Sequence, residues 1–142
     1  MRRYSFQDTI LAINGVEITG WADGDDVIDI ERRTDSISDK VGASGEMMIS
    51  VSADKSGMVT IKLQQTSPSN LYLTALCDLQ EASGSLFIPC AVTFMDTYRN
   101  DIATGLSGYI KKPPKMTRGT QGNNQEWVFV VERLDLVFGD TN

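Results

Sequence analysis

The chain has 142 residues, a formal net charge of −6 and no histidine. That length suits one domain with its own core, and the missing imidazole removes the commonest general base and metal ligand. An excess of acids, 19 against 13 basic residues, excludes a general nucleic-acid binder, whose footprint is basic.

The opening MRRYSFQDTI has two arginines but no apolar h-region, so no secretory signal is expected and synthesis in a cytoplasm is the default. No run approaches the roughly 18 apolar residues that a membrane span needs. Residues 5–13 (SFQDTILAI), then Asn14-Gly15 and VEI, predict a hairpin, because Asn-Gly supplies the positive φ pair of a type I′ turn. Gly20 and the run ADGDD break the chain. Residues 27–33 then alternate, with Ile28 and Ile30 on one face and Asp29 and Glu31 on the other.

A polar insert follows: Thr34, Asp35, Ser36, Ile37, Ser38, Asp39, Lys40, Val41, Gly42, Ala43, Ser44, Gly45 and Glu46. Hairpins usually close in about two to five residues, so an insert this long reads as an arm that orders against another copy. Beyond it, Met47, Ile49, Val51 and Ala53 alternate with Glu46, Met48, Ser50 and Ser52. Past the turn DKSG, Val59, Ile61 and Leu63 alternate with Thr60, Lys62 and Gln64. Both segments predict half-buried strands with one wet face.

One helix is predicted, with Ser67 as cap, Pro68 in the first helical position and Gly84 as stop. Residues 85–95 (SLFIPCAVTFM) read as a strand buried on both faces, with Pro89 marking an edge or a bulge. DTYRNDIATGLSG looks turn-rich, ahead of a short strand at 109–112. KKPPKMTRGTQGNNQ (residues 111–125) reads as a mobile loop. Residues 127–138 (WVFVVERLDLVF) close the chain as a long strand, giving seven or eight strands and one helix in a single domain over 1–142. Cys77 and Cys90 lie in apolar contexts and are expected as buried free thiols.

Catalytic motifs are missing. There is no phosphate loop, GxGxxG or GxSxG, and two separated cysteines cannot build a structural zinc site. Asp23-Gly24-Asp25-Asp26 lacks the spacing of an EF-hand loop and reads as a turn. No enzyme, cofactor or metal is expected. Asp23, Asp25 and Asp26 crowd one segment while Lys111, Lys112, Lys115 and Arg118 crowd another, a separation that favours ordered head-to-tail association of copies.

Residues 4–46, YSFQDTILAINGVEITGWADGDDVIDIERRTDSISDKVGASGE, resemble the tail tube proteins of contractile-tailed bacteriophages, with a Y-S-F-x-D opening, an N-G hairpin and an R-x-x-D…D-x-x-G-A-x-G-E arm. The likeness extends through the helix and the closing strand, and the haemolysin-coregulated tube protein of type VI secretion is similar in architecture. It implies a mainly β fold: two packed antiparallel sheets, a sandwich or partly rolled barrel with one flanking helix. It also implies hexameric rings stacked into a hollow tube, with residues 34–46 bridging subunits. The expected partners are further copies of the chain, sheath, tape-measure, baseplate and tail terminator proteins, in a virion tail assembled in the host cytoplasm. Glu46, Ser50, Ser52, Thr60, Lys62 and Gln64 are expected on the bore, a wall with little positive charge that double-stranded DNA crosses without being held. The alternatives are a type VI-like tube carrying effectors and a monomeric β-barrel binding module lined by Phe87, Phe94 and Phe129.

Overall fold

The computed structural model describes residues 3–84 and 86–139. A short 3₁₀ turn at Phe6–Asp8, capped by the Ser5 hydroxyl, leads into β1 (Thr9–Ile13) and β2 (Val16–Glu17). Then come β3 (Ile28–Arg32), β4 (Ile37–Val41), β5 (Met47–Val51), β6 (Gly57–Gln64), α1 (Ser69–Ala82), β7 (Cys90–Asp96), β8 (Asp101–Lys112) and β9 (Asn124–Val137). The architecture is mainly β, in two antiparallel sheets with one helix, as the sequence predicts. Seven strands form one sheet in the order β2-β1-β7-β8-β9-β6-β3, and β4-β5 form the second. Among the described residues no helix is long and apolar enough to cross a membrane.

Local chemistry explains the joints. Asn14 and Gly15 take φ of 52° and 81°, the turn their residue types demand, and Ile13 pairs with Val16 across it. On β6 every second residue, Val59, Ile61 and Leu63, is buried. The facing residues of β9, Trp127 and Phe129, pair with Ile61 and Val59 and are buried with them. Each such fully buried side chain contributes about 1.5–3 kcal/mol. Leu73, Leu76 and Cys77 of α1 complete this core. The Ser67 hydroxyl accepts from Ser69 N–H at 3.2 Å and donates to the Thr19 carbonyl, so it serves the helix start while pinning the chain before β3. Gly84, at φ 56°, ends the helix as expected.

The large sheet is rolled but not closed. Ile28 and Ile30 of β3, one edge, line the same cavity as Tyr4 and Phe6, which precede β1 near the other edge. Midway along, β8 and β9 change phase together. Ala103 and Gly105 are buried, then Gly108 and Ile110; Gln125, Trp127, Phe129 and Val131 are buried, then Leu134. Ser107 marks the shift with φ of 55°, and Glu132 lies opposite it, between the pairs Leu106–Arg133 and Gly108–Val131.

Four expectations are corrected. The segment at 101–108 is not a turn region but most of a 12-residue strand, in which Gly105 and Gly108 leave room for Val131. The strand expected at 85–95 begins only at Cys90, and Leu86, Phe87 and Ile88 are exposed; Ser85 lies outside the described residues. Residues 47–53 are not half buried, since every residue of β5 is exposed. The arm is not irregular, because its residues 37–41 form β4 in register with β5.

Candidate functional site

β4 and β5 form a finger that stands off the body of the protein, with all ten strand residues exposed. Its pairs are Ile37–Val51, Ser38–Ser50, Asp39–Ile49, Lys40–Met48 and Val41–Met47. Side chains alternate across a strand, so one face collects Ile37, Val41, Met47, Ile49 and Val51 around Asp39. The other collects Ser38, Lys40, Met48 and Ser50. The tip turns through Gly42–Gly45, with Gly42 N–H on the Glu46 carbonyl at 2.7 Å and Gly45 at φ 89°.

The neck is tied down. Arg33 N–H bonds the Ser56 carbonyl at 3.1 Å, Ser52 N–H bonds the Ser36 carbonyl at 2.9 Å, and Thr34 Oγ1 donates to Asp54. Hydrogen bonds from Ser56, above all, hold the Asp54 carboxyl below its usual range. At the root, Arg32 donates to the Leu134 carbonyl at 3.1 Å, bracing β3 against β9.

The finger leaves β3 and enters β6 at one end of the sheet, beside Arg32–Gly57. The loop between β8 and β9 leaves the other end, where Lys112 faces Val128. Lys111, Lys112, Lys115 and Arg118 there are exposed and make no ion pair among the described residues. The acidic segment lies at that same end, not opposite it: Asp26 bonds Lys62 Nζ at 2.9 Å, and Lys62 pairs across with Glu126. Asp23 and Asp25 line the rim of the cavity described above. Lys62 donates to Asp26, and this bond lowers the Asp26 pKa and raises that of Lys62, to which Glu126 and Asp29 add by charge.

The six residues expected on one bore face fall on two separate sheets. Glu46, Ser50 and Ser52 belong to the finger or its neck, while Thr60, Lys62 and Gln64 lie on β6. On the outer face of the large sheet, Thr60 sits opposite Asp29 and Lys62 opposite Glu126, and Glu31 pairs with Met58. Asp29, Glu31 and Glu126 therefore share that face of the sheet and make it acidic. Strand alternation carries this signal, but the sequence does not connect the acids to β6, because the pairing of β3 and of β9 with β6 is not local.

A second surface escaped the sequence altogether. Ile10 pairs with Met95, Met95 with Ile102 and Ile102 with Val137, an exposed apolar row across four strands. The cavity between the rolled edges holds about 750 Å3 and is lined mainly by Tyr4, Trp21, Ile28, Ile30, Phe94 and Leu136. Of the three aromatic residues expected to line a pocket, Phe94 does; Phe129 is in the core and Phe87 is exposed.

Residues 1–139 match the family described as the bacteriophage PhiTE tail tube protein. The chain belongs to this tail tube family. It is a structural family, not an enzyme family, in agreement with the lack of catalytic motifs. No curated protein matches the sequence. Among solved structures, the tail tube chain is similar to a chain of the anti-feeding prophage cap (the tube terminating cap), with a TM-score of 0.67, 7% identity, and coverage of 98% of this chain and 93% of that one. It is similar to a chain of the sheath-tube complex of an extracellular contractile injection system (PVC) in the extended state, with a TM-score of 0.65, 10% identity, and coverage of 96% and 92%. A chain of the sheath/tube terminator of that system matches with a TM-score of 0.67, 10% identity, and coverage of 96% and 98%. At these identities the likeness is one of fold.

Proposed function

We propose that copies of this chain form hexameric rings that stack into the hollow tail tube, the conduit for genome ejection through a contractile tail. Membership of the tail tube family supports the reading. The observation that carries it is the finger, whose apolar face is exposed and has no cover among the described residues. An isolated two-stranded hairpin is marginal in water, and the surface most able to complete it belongs to another copy. The apolar row from Ile10 to Val137 is a second contact area of the same kind.

The polar, acid-rich wall of Asp29, Glu31, Thr60, Lys62, Gln64 and Glu126 suits the bore. Tight DNA binding needs Lys and Arg to displace counterions, and a single lysine already paired with Asp26 offers little. Duplex DNA then passes without being held. Sheath and terminator partners are supported by the sheath-tube and terminator structures whose chains share the fold. Tape-measure and baseplate partners, and assembly in the host cytoplasm, follow from the same role.

Negative-stain microscopy with light scattering of the purified protein tests the proposal. Rings or tubes with a hollow bore are expected, and tubes should release duplex DNA at physiological salt. A species that stays at 15.6 kDa at high concentration would overturn it. That outcome, with a small apolar molecule in the 750 Å3 cavity, would instead favour a monomeric binding module.

A further inference from the structure

We propose that the apolar face of the finger docks on the β8–β9 loop of a second copy, with Asp39 paired to Lys115 or Arg118, and that this contact joins one ring to the next. The inference rests on the tube reading and names its axial joint.

Three observations converge. First, the finger and the loop lie at opposite ends of the same strands, separated by the length of β6, which is about 23 Å at 3.3 Å per residue. With the strands running along the tube axis, as the proposed contact requires, copies stacked in one orientation bring these two ends together. Second, Asp39 sits in the middle of the apolar face, beside Ile37 and Val41 and across from Ile49, with no hydrogen bond or ion pair among the described residues. Covering that face buries a carboxylate, which is tolerated only beside a cation. Third, the loop offers both things the face lacks. Pro113 and the 78%-exposed Met116 supply apolar cover, and Lys115 and Arg118 supply charge that no described acid uses.

The acidic residues Asp23 and Asp25 share that end of the sheet, ahead of β3, which is three strand spacings, about 14 Å, from β8. They repel Asp39 and so steer the finger toward the β8–β9 side. The contact joins two different patches, and such heterologous joints repeat along an axis.

The test uses the full chain, with tube mass followed by light scattering. Asp39→Lys is expected to raise the concentration needed for tubes by about tenfold or more, as is Lys115→Glu combined with Arg118→Glu. All three reversals together should restore assembly. The positions lie outside the core, and unchanged thermal unfolding of each variant checks that. As a second readout, Asp39→Cys mixed with Lys115→Cys should give a disulfide-linked dimer only under assembling conditions. Normal tubes from Asp39→Lys, or failure of the triple reversal to restore what the separate reversals remove, would overturn the contact while leaving the tube reading intact. A wild-type chain that never polymerises would overturn both.

Discussion

Gln80, buried on α1, accepts a hydrogen bond from the backbone N–H of Ile110 at 3.0 Å, while its amide nitrogen donates to the carbonyls of Ile88 and Gly108. The reason lies in the sheet. β7 begins at Cys90, opposite Gly108, so the part of β8 beyond Gly108 has no strand on that edge. A side-chain amide from the helix supplies the missing partner. Gln80→Leu orphans the Ile110 N–H and should cost about 1–3 kcal/mol. Urea unfolding should show a lower midpoint at unchanged slope; an unmoved midpoint would contradict this account.

Gly105 and Gly108 are required for space. A Cβ at either would stand 2.8 Å or 2.9 Å from Cγ1 of Val131. Gly105→Ala and Gly108→Ala are each expected to lose about 1–3 kcal/mol by overpacking. Combining either with Val131→Ala should cost less than the sum of the single changes, because the two sites share one volume. Strict additivity would show that Val131 is not the obstacle.

The two thiols should be silent in the folded protein. Burial, and then the Glu81 carboxylate 3.5 Å away, push the Cys77 thiol up to about 11, and burial also raises Cys90. Reaction follows the thiolate, so alkylation at pH 8 should label neither residue until denaturant is added. Rapid labelling of the native chain would place a thiol at the surface.

The Lys62–Asp26 pair sets a pH window. Asp26 is lowered in the folded chain from 3.8, so its contribution is present above that value and is lost as pH falls through the lowered one. Lys62 is raised from 10.5, so its contribution is present below 10.5 and is lost as pH rises through the raised value. Both groups are solvent-facing, and the effect on stability is small. The sharper readout is NMR titration: Lys62→Ala should move the Asp26 pKa up, toward the ordinary carboxylate value. No movement would mean that the bond is absent in solution.

Removing residues 36–52 should leave the domain folded, since none of them belongs to the core. Thermal unfolding should stay cooperative and within a few degrees of the parent, a shift of about 1 kcal/mol or less. Tubes should be lost. A deletion variant that unfolds would make the finger integral to the domain.

Much of the fold was legible because it is local. The Asn14-Gly15 turn, the alternation of Val59, Ile61 and Leu63, and the helix to Ala82 are each set by neighbouring residues. What stayed hidden depends on distant partners. Residues 101–108 look like turn material because Gly105 and Ser107 are poor strand formers, yet β7 and β9 on either side enforce the ladder. β5 alternates like a core strand, but its partner is β4, and the pair has no third layer to bury its apolar face. The strand at 37–41 stays hidden in the polar run 34–46 because its two apolar residues, Ile37 and Val41, flank the charged Asp39 on one face.

The joint shift of phase at Ser107 and Glu132 has a consequence for sequence length. Upstream and downstream of these residues, opposite parities of the numbering point inward. Deleting Ser107 or Glu132 alone would bring the inward residues of that strand to one parity but leave the residue facing it unmatched, a bulge that puts the ladder out of step. Paired deletions, one in each strand, would keep the two halves in step. Tolerance to indels in this hairpin is therefore expected to be strongly coupled, with matched changes surviving where single ones fail.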